Sequence, residues 1–189
     1  GPSTVSRWCY GISKAVDEHL ALAHARREGL PVAIARFFNT VGPRQTGEHG
    51  MVLPRFIGAA LAGLPIEVHG DGAQARCFCD VRDVAPALPR MLAAPACHGK
   101  IFNVGSDRLI TILELAELVR RATGSASPVV RVSYEQAYGP DFEDLRVRQP
   151  DLTRIRAAIG FAPGIALEQT VADIAALMGA GAAGKAAAR

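Results

Sequence analysis

A tyrosine and a lysine four residues apart, Tyr10 and Lys14 in the run YGISK, are the residues of this sequence best suited to acid–base chemistry. On a helix, positions i and i+4 share a face, so the phenol and the ammonium would stand side by side. A neighbouring cation favours the phenolate and lowers a tyrosine pKa. A base works best when its pKa lies near the operating pH, which would suit Tyr10 to take a proton from a substrate hydroxyl. A chance pair on a solvated helix has the same spacing, so the pair alone assigns no reaction.

The remaining composition narrows the classes. Cys9, Cys77, Cys79 and Cys97 form no paired CxxC units, and Cys77 and Cys79 lie in an alternating apolar run, so buried free thiols are expected and no metal site. The net charge is only +3 with Lys and Arg scattered, which points away from nucleic acid or a membrane surface as partner. A hydrophobic share of 49% with 21% charged residues is that of a soluble globular chain. No apolar run nears the roughly 20 residues that cross a bilayer, and no signal-peptide pattern opens the chain. A cytoplasmic location is expected.

Helical spacing of Ile12, Val16, Leu20 and Ala23 predicts a helix from Gly11 to about Glu28, with Gly29 as C-cap. Pro31 to Phe37 reads as a buried strand, and a helix feeding an apolar strand is half of a parallel α/β unit. After a polar loop over Asn39 to Gly50, the pattern predicts a helix over Met51–Leu61 and a strand over Ile66–His69. A turn follows at Gly70–Gly72, then a short strand over Cys77–Val81. A helix follows over Val84–Leu92 despite Pro86 and Pro89, and a strand over Ile101–Val104. Thr111 with Glu114 makes a capping box ahead of an apolar helix. Val129–Val132 reads as a strand, and Leu152–Ile159 and Leu167–Met178 as helices. The alanine- and glycine-rich residues 179–189 read as a disordered tail.

Six motifs stand in a fixed order: RWCYGISKA at 7–15, RFFNTVGP at 36–43, GDGAQAR at 70–76, DVRD at 80–83, FNVG at 102–105 and RQPD at 148–151. Together they resemble the extended short-chain dehydrogenases/reductases, the NAD-dependent nucleotide-sugar epimerase/dehydratase family. The resemblance implies an α/β fold: the C-terminal part of a Rossmann-type doubly wound sheet plus a small α/β substrate-binding domain. Residues 1–50 would end the Rossmann-type domain and 51–178 would mainly bind the nucleotide-sugar. The glycine-rich GxxGxxG turn that seats the cofactor pyrophosphate in this family does not occur ahead of the Tyr10 helix. The chain therefore reads as a C-terminal portion, with weak or no NAD binding and little activity by itself.

The family's mechanism would make Tyr10 the base for the sugar 4-hydroxyl as NAD oxidises C4, giving a 4-keto intermediate. Lys14 would hold the cofactor ribose, and Phe38 would lie near the nicotinamide. Asn39 and Arg76 match diphosphate-binding positions, and an arginine fork suits phosphate oxygens. Arg146 is expected as a second phosphate arginine, with Arg148 as the neighbouring alternative. Val68 and His69 match the segment lining the base pocket, and Val52 opens the helix that caps the nucleotide. Gln45 and His49 sit in a loop near the sugar. Several 4-epimerases carry Asn where Met51 stands, which leaves that sugar contact in question. The resemblance implies a UDP-sugar 4-epimerase first, then a UDP-glucuronate decarboxylase or a dTDP-sugar 4,6-dehydratase; a non-catalytic nucleotide-sugar-binding fragment is the rival. A homodimer joined through the Tyr10 helix is expected.

Overall fold

The computed structural model describes residues 7–47, 51–139, 142 and 144–187. Helix α1 spans Arg7–Glu28 and delivers the chain into strand β1, Ala33–Phe37. Its last turn carries Arg26 and Arg27, which suit the negative end of the helix dipole. Gly29 follows with φ +67°, a backbone that favours glycine and so stops the helix there. Strand β6, Lys100–Val104, runs parallel to β1, with Ala35 opposite Phe102. Around this pair packs one of two cores. Phe102 and Val104 from β6 meet Met91 of helix α4 (Ala87–Ala93) and Ile155 of helix α7 (Thr153–Ile159).

The second core lies under helices α2 (Val52–Leu61), α5 (Ile112–Ala122) and α8 (Leu167–Ala187), which close over strand β3 (Ile66–His69). Leu53, Phe56 and Ile57 of α2, Leu115 and Val119 of α5, and Val171 and Ile174 of α8 are all buried there. Burial of each such side chain is worth about 1.5–3 kcal/mol. Strand β8, Val129–Val132, runs parallel to β3. The Thr111–Glu114 capping box forms as the sequence predicts: Glu114 N–H donates to Thr111 Oγ1 at 3.1 Å, and Thr111 N–H to the Glu114 carboxylate at 2.8 Å. The cores do not follow one cut near residue 50, because residues 79–104 and 152–161 pack with β1.

Several elements differ from expectation. The predicted strand over Cys77–Val81 is two short ones, β4 (Ala75–Cys77) and β5 (Cys79–Asp80), the latter parallel to β2 (Thr40–Val41). The helix expected over Val84–Leu92 is split into α3 (Val81–Val84) and α4, because Pro86 cannot donate the next helical hydrogen bond. Strand β7 (Leu109–Thr111), helix α6 (Tyr134–Tyr138) and strand β9 (Val147–Arg148) lie where no element was expected. The backbone of α8 stays helical to Ala187 through residues expected to be a disordered tail, since alanine is the strongest helix former. No described helix is long and apolar enough to cross a membrane.

Candidate active site

The register of one small sheet builds the centre of the site. Strand β4 pairs antiparallel with β7 and parallel with β9, setting Arg76 opposite Arg148. Partners in register point to the same face, so two guanidinium groups share one side of this sheet. That side borders a cleft of about 1160 Å³ between α1 and β1, lined also by Tyr10, Lys14 and Phe38. Phe38 sits at the end of β1, where its N–H donates to the Val104 carbonyl at 3.0 Å, and the Arg148 guanidinium lies 5.0 Å from its ring centroid. Gly105 lets the strands close here: a Cβ on it would come within 2.9 Å of the Phe38 Cβ.

Tyr10 is 70% exposed and lines the cleft. The Lys14 ammonium lies 5.8 Å from the Tyr10 ring centroid and donates to Asp17 at 2.8 Å. That hydrogen bond, and then the charge of Asp17, hold the lysine above its ordinary pKa, so it stays an ammonium. Helix α1 is tied to β1 by a two-pronged bond from Arg36 to Glu18, both contacts 2.6 Å. The bond from Arg36 keeps Glu18 below the usual carboxylate range.

Arg76 is mostly buried and tied in place. Its Nη1 donates to the Ala75 carbonyl at 2.9 Å and its Nη2 to Asp144 at 2.7 Å. Asp144 also accepts from the Tyr134 hydroxyl at 3.0 Å. Burial, then the Asp144 bond, pushes the Tyr134 phenol up to about 12, so it remains a donor.

The other sequence-predicted residues lie off this cleft. Arg146 does not line this cleft: it is 74% exposed and donates to Asp71 at 2.6 Å, while Arg148, the neighbouring alternative, does line it. Asp71 is held low by the Ala73 N–H and then by Arg146. Asn39 turns its amide to the Cys77 carbonyl at 2.8 Å, tying the end of β1 to β4. Val52 packs at the margin of the second core, and Val68 is fully buried in β3, leaving only its backbone for a ligand. His69 is half-buried and hydrogen-bonded to Arg55 and Tyr138. Gln45 closes a turn through its N–H to the Gly42 carbonyl, and His49 lies outside the described residues. Sequence reasoning missed Asp144, Tyr134, Arg55 and Tyr138. The S-x-x-Q capping box of α6, from Ser133 to Gln136, was the available signal for the middle of that group.

Asp80 and Asp83 of the DVRD run serve the fold. Asp80 is buried, caps α3 through the Arg82 N–H, and accepts from Thr170 of α8 at 2.7 Å. Asp83 accepts the N–H groups of Gly164 and Ile165 ahead of α8. Cys77 and Cys79 are buried, which pushes their thiols up to about 11 and about 12, and thiolate chemistry is disfavoured at both. Among the described residues no group of three or more His, Cys, Asp or Glu could hold a metal ion.

Residues 1–105 match the NAD-dependent epimerase/dehydratase family. The chain belongs to that family. It is 39% identical over 170 residues to a UDP-N-acetyl-alpha-D-glucosaminuronate decarboxylase of Bacillus cytotoxicus, covering 89% of this chain and 52% of the relative. A UDP-glucuronic acid decarboxylase of Arabidopsis thaliana is 35% identical over 164 residues, covering 86% of this chain and 35% of the relative. Among solved structures, a UDP-glucose 4-epimerase of Thermotoga maritima with UDP-glucose is similar at a TM-score of 0.80 and 29% identity, covering 89% of this chain and 52% of that one. The chain thus spans between a third and about half of the length of these relatives. The Rossmann-type α/β fold expected from the motifs stands.

The residues present fit one end of the family's cofactor. Tyr10 and Lys14 offer two donors, and Phe38 a ring, to the cleft they all line. A glycine-rich turn for the pyrophosphate is not among this chain's residues.

Proposed function

We propose that this chain carries the substrate side of an NAD-dependent enzyme that acts at C4 of a UDP-sugar. The observation that carries the reading is the convergence of Tyr10, Lys14, Arg76 and Arg148 on one cleft. Two guanidinium groups in register, Arg76 held by Asp144 and Arg148 exposed over the Phe38 ring, suit a diphosphate, whose oxygens they can meet with paired hydrogen bonds. Tyr10, which lines the same cleft, would then meet the sugar. Tyr10 takes the proton of the 4-hydroxyl, with the Lys14 ammonium 5.8 Å from its ring centroid on the same helix face. NAD, when bound, supplies the reversible oxidation of C4.

For the second step the curated relatives favour decarboxylation of a UDP-uronate. A ketone at C4 lies β to the C6 carboxylate. The C5–C6 bond can break with its electron pair drawn onto the ketone oxygen, carbon dioxide leaves, and C5 takes a proton. C4 is then reduced again, so no oxidant is consumed overall. The second reading is 4-epimerisation, the leading expectation from sequence, favoured by the likeness to the solved UDP-glucose 4-epimerase. UDP-glucuronate with NAD, given to enzyme that carries this cleft together with the family's cofactor turn, separates the two. Loss of C6 as carbon dioxide with a UDP-pentose formed supports decarboxylation, and UDP-galacturonate with C6 retained supports epimerisation. Neither product from any UDP-sugar supplied would overturn C4 chemistry at this site.

A further inference from the structure

Beyond the cleft, Arg55, His69 and Tyr138 form a chain of hydrogen bonds whose direction follows from proton counting. Arg55, near the start of α2, donates Nη2 to the Glu67 carbonyl at 3.1 Å and places Nη1 2.6 Å from Nε2 of His69. A guanidinium has only donors, so Nε2 must accept. Burial, and then the positive charge of Arg55, keep His69 below its ordinary pKa, so the ring is neutral at pH 7. Its single proton therefore sits on Nδ1, 2.8 Å from the Tyr138 hydroxyl oxygen. Nδ1–H donates, and that oxygen accepts. The phenol's own proton is then left for another acceptor.

The position of this donor matters as much as its direction. Tyr138 is 53% exposed. Its ring stacks on Phe142, with centroids 4.1 Å apart, and Phe142 lines the cleft with Arg76. His69 meets the Tyr138 ring edge-on at 5.1 Å. An aromatic surface thus leads from the arginine pair to the Tyr138 hydroxyl, and a flat heterocycle joined to a diphosphate is the ligand that such a surface suits.

We infer that Tyr138, oriented by His69 and Arg55, reads the base of the nucleotide by donating to a ring carbonyl. The inference rests on the cleft being the nucleotide-sugar site. With one lone pair taken by His69, the hydroxyl offers chiefly its proton, which suits the 4-carbonyl of uracil or thymine. The amino group at the same position of cytosine would set donor against donor. One neutral hydrogen bond made in one case and opposed in the other gives about tenfold preference.

The test is calorimetric titration of UDP and CDP, which share the ribose diphosphate and differ at pyrimidine position 4 and the adjacent N3. Wild type is expected to prefer UDP by about tenfold. Tyr138→Phe should bring the two affinities within about twofold by weakening UDP and leaving CDP unchanged. Arg55→Met, which frees the histidine ring to turn, should lower the preference part of the way. Arg76→Ala should weaken both nucleotides alike and keep their ratio. Full UDP preference in Tyr138→Phe, with Arg76→Ala still weakening both, would overturn the base-reading role and leave the cleft assignment standing. No binding of either nucleotide, or no effect of Arg76→Ala, would overturn the cleft assignment and this role with it.

Discussion

Replacing Arg76 by alanine should weaken UDP binding by about 10-fold to 100-fold. The side chain is 14% exposed and fixed from two directions by Ala75 and Asp144, so little ordering remains to be lost when a diphosphate arrives. Hydrogen bonds to charged groups are worth about 1.5–3 kcal/mol each, and one such bond converts to the range given. A second effect must be kept apart from the first. Alanine strips Asp144 of its guanidinium, although the Tyr134 hydroxyl and the Leu145 N–H still donate to that carboxylate. Thermal unfolding without ligand measures this loss, and calorimetry with UDP at one fixed salt concentration measures binding. Arg76→Lys should recover the pairing with Asp144 and only part of the affinity, because an ammonium cannot reproduce the fork. Equal UDP affinity in wild type and both variants would refute the reasoning and remove Arg76 from the site.

Three further outcomes follow from the same structure. NAD should bind this chain more weakly than low-micromolar, since the glycine-rich turn for its pyrophosphate is not among these residues, and a low-micromolar calorimetric affinity would contradict that. Asp80→Ala should cost about 3 kcal/mol, from a lost helix cap and a lost bond to Thr170, read as a lower midpoint in urea; an unchanged midpoint would contradict it. The Asp80 carboxyl is buried, which alone would raise its pKa, but its bonds from Arg82 and Thr170 win and lower it. The stability it contributes is therefore present above the unfolded carboxylate pKa and fades as pH falls through the lower folded one. Wild type and variant should converge in strong acid. Light scattering should show a dimer that Leu20→Glu dissociates, because Ile12, Val16 and Leu20 expose an apolar stripe on the outer face of α1, whereas a strict monomer would refute that seam.

Much of this arrangement was legible in the sequence because it depends on local chemistry. The capping box at Thr111, the glycine stop at Gly29 and the apolar spacing of α2 each involve residues within one or two helical turns. Tyr10 and Lys14 share a helix, so their proximity follows from spacing alone. The choice between Arg146 and Arg148 did not, since two arginines of equal parity in one segment look alike in the sequence although only Arg148 lies on β9. Only the pairing of β9 with β4 sets Arg148 beside Arg76. The Arg55–His69–Tyr138 chain was hidden for a similar reason. Its members are 14 and 69 residues apart and lie on α2, on β3 and on α6, the helix that follows the strand paired with β3. At the C-terminus the backbone of α8 runs helical to Ala187, and alanine is the strongest helix former.

The claim that matters most is that Tyr10 is the base acting on the sugar 4-hydroxyl, and one substitution addresses it. Tyr10→Phe removes a single oxygen from a side chain that is 70% exposed, so packing should hardly change. The measurement is turnover of UDP-glucuronate with NAD by enzyme that carries this cleft together with the family's cofactor turn, beside UDP affinity by calorimetry on the same samples. Turnover is predicted to fall by about 10²–10⁴-fold, the usual contribution of a general base, while UDP affinity stays within about twofold. Turnover within a few-fold of wild type would contradict the assignment of Tyr10 and the C4 chemistry built on it.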